Sequence, residues 1–145
     1  FEIERFQMSI QLFKKWTQAV VNSDWDSMSS LYAEDIMNLN PDGTTNEGKE
    51  ACLEKDKKWD SAFSDFKFDI VNSMESGNTI VMEVQITCTM TGEMMTPDAS
   101  KIPPTGKTHT FPYCMIMEWE NSQIRRQRNY GDLMSFMEGF GIVSS

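Results

Sequence analysis

The sequence predicts an α+β fold, with helices in the first half, long antiparallel strands in the second and a short helix at the end. Two observations carry that expectation. The apolar spacing changes at Ser64-Asp65 from a helical period near 3.6 to a strand period of 2. Turn signals at Asn40-Pro41-Asp42-Gly43 and Ser76-Gly77-Asn78 then punctuate the chain. No internal repeat or low-complexity linker interrupts it, so residues 1–145 are expected to form one domain.

The first helix is expected from the stripe Ile3, Phe6, Ile10, Phe13 and Val20, flanked by Leu12, Trp16 and Ala19. Asn22-Ser23-Asp24 breaks it and offers an N-cap for a short second helix with Trp25, Met28, Leu31 and Tyr32 on its apolar side. A brief strand follows over Ile36 to Leu39. The third helix runs from about Glu47 to Phe63, with Cys52, Asp56, Trp59 and Phe63 on one stripe.

Beyond the change of period, Phe66, Phe68 and Ile70 alternate with Lys67, Asp69 and Val71. The next strand alternates most cleanly, Ile80, Met82, Val84, Ile86, Cys88 and Met90 facing one way. Gly92 to Gly106, with Pro97, Pro103 and Pro104, is a loop long enough for a pocket rim. A long strand spans Lys107 to Trp119, and its central part is apolar on both faces, so both faces need cover. After the turn from Glu120 to Gln123 comes a short strand with Arg125, Arg126 and Arg128, then Tyr130-Gly131-Asp132 and a Met/Phe-rich helix.

Composition excludes several functions. The apolar share of 39%, with nine phenylalanines and four tryptophans, supports a packed core. A net charge of -9 argues against nucleic acid and anionic membrane as partners, which call for a basic surface. No apolar run approaches the roughly 20 residues of a membrane span. Cys52, Cys88 and Cys114 are odd in number and widely spaced, as in a reducing, cytoplasmic setting without disulfides. His109 is the only histidine, so no histidine-based metal site is expected, and no cofactor is implied.

The candidate site lies in the last third. If Trp119 pairs with Ile124, alternation puts Tyr113, Met115, Met117, Trp119, Ile124, Arg126, Arg128 and Tyr130 on one face, with Asp132 continuing that side. Glu118 then opposes Arg125 as a cross-strand ion pair. A strand-end carboxylate facing a cavity has the placement of a general acid or base, so Asp132, with Tyr130 and Arg128, is the catalytic candidate. The competing role for Asp132 is capping the last helix. Tyr32, Trp59, Phe63, Met90, Tyr113, Met115 and Met117 are the pocket candidates, with core packing as the competing role. His109 at the rim and Asp35 and Asn38 near the cavity mouth are weaker candidates.

Several segments resemble the SnoaL-like polyketide cyclases of the nuclear transport factor 2-like superfamily. They are SDWDSMSSLYAEDI (Ser23 to Ile36), NEGKEA (Asn46 to Ala51), WDSAFSDFKFDI (Trp59 to Ile70), PPTGK (Pro103 to Lys107) and the closing stretch from Met117 to Gly141. The resemblance implies a cone-shaped, curved, mostly antiparallel sheet wrapped by the N-terminal helices around an apolar pocket. It also implies a hydrophobic, oxygenated small-molecule ligand and a homodimer formed through the sheet. Asp132 matches the acid these cyclases use for proton transfer in an intramolecular aldol closure. Where the family has an E-H-W stretch, this chain reads Arg126-Gln127-Arg128. Isomerase-like or epoxide-hydrolase-like chemistry at an arginine-flanked aspartate is therefore also open, and so is a non-catalytic ligand-binding or dimerisation module.

Overall fold

The structure, a computed structural model, describes residues 2–96 and 99–143, with side chains from residue 10 onward within those ranges. The expected stripe residues Ile3 and Phe6 and the loop residue Pro97 therefore fall outside the described side chains. The first half is α1 (Glu2–Val21), α2 (Trp25–Leu31), β1 (Tyr32–Leu39), β2 (Thr45–Glu47) and α3 (Lys49–Ala62). The second half is β3 (Phe63–Ser76), β4 (Thr79–Met90), β5 (Met94–Met95), β6 (Lys101–Ile102), β7 (Thr108–Glu120), β8 (Gln123–Tyr130) and α4 (Leu133–Gly139). None of the described helices is long and apolar enough to cross a membrane.

Six strands form one open, curved sheet in the order β2-β1-β8-β7-β4-β3, and β5 pairs with β6 in a small separate ribbon. Only β1 and β8 run parallel; the other neighbours in both sheets are antiparallel. The expected helices and long strands are all present. β2 and the β5-β6 ribbon were not anticipated, because two or three residues are too few to set a period. The first strand is also longer than expected, opening at Tyr32.

Helix ends follow from local chemistry. Asp24 accepts the Ser27 backbone N–H (3.1 Å) and hydroxyl (2.6 Å), which fixes the start of α2. Gly48 opens α3 at φ 90° and donates its N–H to the Ile36 carbonyl (2.7 Å), tying α3 to β1. That backbone conformation favours glycine.

Leu12, Phe13, Trp16 and Ala19 of α1 are buried, as are Met28 and Leu31 of α2 and Cys52 of α3. They cover Ile80, Met82, Val84, Ile86, Cys88 and Met90 of β4 and Phe111, Met115, Met117 and Trp119 of β7. The odd-numbered residues of β7 thus face the core, as the alternation predicts. Each fully buried large side chain contributes about 1.5–3 kcal/mol. The inner face of β3 ends sooner than expected: Ile70 is exposed, next to a register shift between Ile70 and Asn72. His109 does not reach a rim; its ring stacks on Phe111 (6.1 Å between centroids) and meets Phe140 edge-on (5.3 Å).

Gly92 marks the closest approach between α3 and the end of β4. Its N–H donates to the Ala62 carbonyl at 2.9 Å, and a Cβ there would stand 1.8 Å from the Ser61 carbonyl oxygen. Gly92→Ala is expected to cost about 2–3 kcal/mol through backbone displacement. Urea denaturation checks this, and an unchanged midpoint would show that the two segments are not in contact.

Candidate functional site

The helices and the inner face of the sheet enclose a cavity of about 280 Å³. Its walls are mainly aromatic. Trp16, Trp25 and Trp59 line it from the three N-terminal helices, and Phe66, Phe68, Phe111 and Tyr113 from the strands. Met28, Ile86, Met115 and Phe136 complete the apolar lining. Asp42 and Thr44 of the β1-β2 turn, with Gly131, Asp132 and Leu133 after β8, form exposed parts of its border.

Two polar groups interrupt these walls. The first is a chain of amides on β8 and β1. Gln127 donates to Asn129 Oδ1 (3.1 Å), and Asn129 donates to Asn38 Oδ1 (2.8 Å) and the Leu39 carbonyl (3.0 Å). Asn38 in turn donates to Asn40 Oδ1 (2.8 Å) and Asn46 Oδ1 (3.2 Å). Gln127, Asn129 and Asn38 are buried, and Gln127, Asn129 and Asn40 border the cavity. Gln127 spends one amide hydrogen on Asn129, and its Oε1 has no protein partner among the described residues. Its second amide hydrogen and its carbonyl oxygen are thus not taken up by other described side chains.

The second group is on α3. Asp56 accepts the Tyr32 hydroxyl at 2.5 Å and pairs with Lys55 at 3.0 Å, and Trp16 Nε1 donates to the Tyr32 oxygen at 3.1 Å. Lys55 and Asp56 border the cavity. Burial and the adjacent Asp56 carboxylate push the Tyr32 hydroxyl well above its ordinary pKa, so it stays protonated. Burial pushes the Tyr113 hydroxyl up in the same way. Among the described residues no group of three or more His, Cys, Asp or Glu side chains is placed to hold a metal ion.

The face expected for the catalytic candidates needs correction. Trp119 does pair with Ile124, but the next pair is Glu118 with Arg126, so Arg125 is an extra residue in β8. Each later side chain is thereby turned over. Gln127 and Asn129 oppose Met117 and Met115 on the inner face, whereas Arg126 opposes Glu118, Arg128 opposes Ile116 and exposed Tyr130 opposes Cys114 on the outer face. Arg128 bonds Glu118 at 2.6 Å, and Arg125 pairs with Glu120 and Asp35 instead of Glu118. Arg128 and Tyr130 therefore do not join Asp132 at the cavity.

Asp132 borders the cavity and is exposed. It caps α4, accepting the Ser135 N–H at 3.1 Å and its hydroxyl at 2.9 Å. These bonds hold its carboxyl below the usual aspartate value.

Of the pocket candidates, Trp59, Tyr113 and Met115 line the cavity. Tyr32, Phe63, Met90 and Met117 are buried in the core outside its lining. Tyr32 sits behind Asp56; Phe63 packs on Phe140 and Phe136 with centroids 5.0 and 5.6 Å away. Asp35 is turned outward to Arg125, and Asn38 belongs to the amide chain. Sequence reasoning did not mark the polar lining residues Gln127, Asn129, Asn40, Asp42, Thr44, Lys55, Asp60 and Asp56. A charge at position 56 on an otherwise apolar helical stripe was the sequence signal for the last.

A family model described as SnoaL-like polyketide cyclase matches residues 11–139. Similar solved structures include one from Jannaschia sp. CCS1 described as a SnoaL-like polyketide cyclase (TM-score 0.82, 13% identity, 95% of this chain and 94% of that one). Another, from Xanthomonas campestris pv. campestris, is described as a polyketide cyclase (TM-score 0.78, 21% identity, 94% of this chain and 98% of that one). A third is described as an LEH-like epoxide hydrolase from M. tuberculosis (TM-score 0.73, 15% identity, 94% of this chain and 91% of that one). At these identities the likeness is one of fold. No curated protein is significantly similar in sequence.

The cap at Asp132 has a pH signature. Its folded pKa lies below the ordinary 3.8, so the stability it contributes is complete above that value and is lost as the pH falls through the lower folded one. Asp132→Ala is expected to lower Tm at pH 6 and to converge on the wild type below pH 3.8, while Asp132→Asn, which caps without titrating, stays near wild type at pH 6 and keeps its gap over Asp132→Ala in acid. Thermal unfolding followed by circular dichroism between pH 2 and 6 checks this. A gap that does not close in acid would show that the ionised carboxylate is not the cap.

Proposed function

Because the chain belongs to the SnoaL-like polyketide cyclase family, we propose that it binds a hydrophobic, oxygenated small molecule in its cavity and performs cofactor-free acid/base chemistry on it through Asp132. The observation that carries this reading is the contrast within the cavity wall. Aromatic rings supply flat apolar contact, and the buried amide of Gln127 supplies a donor and an acceptor where a ligand oxygen can be fixed. Asp132 is exposed and ionised at neutral pH, which suits a base better than an acid, and the Ser135 bonds that lower its pKa also moderate its basicity. It would take a proton from the carbon beside a ligand carbonyl, leaving an enolate, and return a proton to that carbon. A cytoplasmic setting is part of the same proposal and is supported by three free cysteines. Burial holds the Cys52 and Cys88 thiols up at about 11 and about 12, which keeps them unreactive.

A second reading, association of two copies through the sheet, is favoured by the outer face. Exposed Met74 and Tyr130 border a shallow depression there together with Val81 and Cys114. A second copy would cover these apolar groups, which a monomer leaves in water.

Three experiments test these proposals. 2-Acetylnaphthalene, a flat apolar ketone, is expected to quench the cavity tryptophans on binding, and Gln127→Leu to weaken it about tenfold through one lost hydrogen bond. In D2O the protein should catalyse deuterium exchange at its methyl group, and Asp132→Asn should return exchange to the buffer rate. Absence of quenching up to the solubility limit would overturn the cavity as a ligand site, and undiminished exchange in the variant would overturn Asp132 as the base. Light scattering after size-exclusion chromatography should give twice the chain mass for the wild type and the single mass for Tyr130→Glu. A monomeric wild type would end the second reading.

A further inference from the structure

Asp56 lies on the inward stripe of α3, one turn from Cys52 and nearly one from Trp59, and its side chain keeps 11% of its exposure. A carboxylate so far from water needs partners. Tyr32 and Lys55 supply two, one on each carboxylate oxygen. Tyr32 is fully buried and receives the Trp16 indole N–H. Of its two acceptors, Asp56 at 2.5 Å and Met28 Sδ at 3.3 Å, the charged and nearer carboxylate takes its proton, so Trp16, Tyr32 and Asp56 form a fixed relay. A carboxylate offers about four lone-pair sites, and the two partners leave about half of that capacity. Asp56 borders the cavity, so the remainder is available to a ligand.

We propose that Asp56 is a hydroxyl-recognising acceptor, and that the ligand is an apolar ring system carrying a hydroxyl that donates to it; this rests on the cavity being the ligand site proposed above. Tyr32 acts as a positioning residue by holding the carboxylate against α3. A carbonyl or ether set against Asp56 itself would place lone pairs against lone pairs, and the Lys55 ammonium beside it is what could receive such an acceptor at this end. The opposite wall can meet such an acceptor, because Gln127 has an amide hydrogen to give. The cavity therefore selects a ring with a donor at one end and an oxygen acceptor at the other, a hydroxylated aromatic or polycyclic ketone by class.

The test uses the whole protein and two probes that share a ring system and an oxygen but differ in their donor, 2-naphthol and 2-methoxynaphthalene. Affinities are read by tryptophan quenching and calorimetry at pH 7. The wild type is expected to prefer 2-naphthol by about tenfold, as for one hydrogen bond to a charged group. Asp56→Asn should bring the preference below about threefold while 2-methoxynaphthalene binds as before, which also shows that the cavity is intact. If Asp56→Asn fails to fold, Asp56→Ser serves, since its hydroxyl still gives Tyr32 an uncharged partner. Equal affinities in the wild type, or a preference that survives the folded variant, would overturn the role of Asp56 and leave the cavity as a ligand site. Binding of neither probe would overturn both.

Discussion

One extra residue in β8 decides what the cavity contains. Arg125 has no partner residue on β7, and its guanidinium is held outward by Glu120 and Asp35. Strand side chains alternate, so an insertion of one reverses every side chain after it. With the bulge, the neutral amides of Gln127 and Asn129 face the aromatic walls. Without it, Arg126, Arg128 and Tyr130 would face them. Burying guanidinium groups among aromatic rings without matching carboxylates would cost several kcal/mol each. The bulge turns those charges to the outer face, where Arg128 meets Glu118.

The inner wall of β8 is consequently polar but does not titrate. Its amides are also tied to β1 through Asn129, Asn38 and the Leu39 carbonyl, across the one parallel pairing of the sheet. A buried amide chain of this kind is stable only when its members are satisfied. The remaining capacity of Gln127 therefore stands out as a place for a ligand. The titratable groups bordering the cavity come from elsewhere: Lys55, Asp56 and Asp60 of α3, and Asp42, Asp132 and Tyr113 on the sheet side. The ionisable groups are thus carried by α3, β7 and loops, while the buried amides lie on β8 and β1.

The closing helix is fixed by rings at one side and by a carboxylate at its start. Phe136 lies 4.9 Å from Phe140, 5.1 Å from Phe111 and 5.7 Å from Trp59 between centroids, joining α4 to β7 and α3. Asp132 sets where the helix begins, which also puts this carboxylate at the cavity border. The two Ser135 bonds that make the cap thereby also fix the carboxylate's place at that border.

By itself the sequence determined the α+β class, the three N-terminal helices, the long hairpins and the inward face of β7. Those rest on local periodicity and turn chemistry, which neighbouring residues specify among themselves. It also marked Trp59 by helical periodicity, Tyr113 and Met115 by alternation and Asp132 by the end of a strand, and all four border the cavity. Tertiary structure decided the rest. The register of β8 depends on a bulge that lies between two strands, and the run Arg125-Arg126-Gln127-Arg128 carries no apolar alternation that would reveal it. Tyr32 read equally well as lining or core, and Phe63, Met90 and Met117 more readily as core, because a buried side chain touches a cavity or a neighbour according to packing from elements distant in sequence. Asp56 gained its meaning from Tyr32, 24 residues away, whose hydroxyl reaches it only once α3 lies across β1.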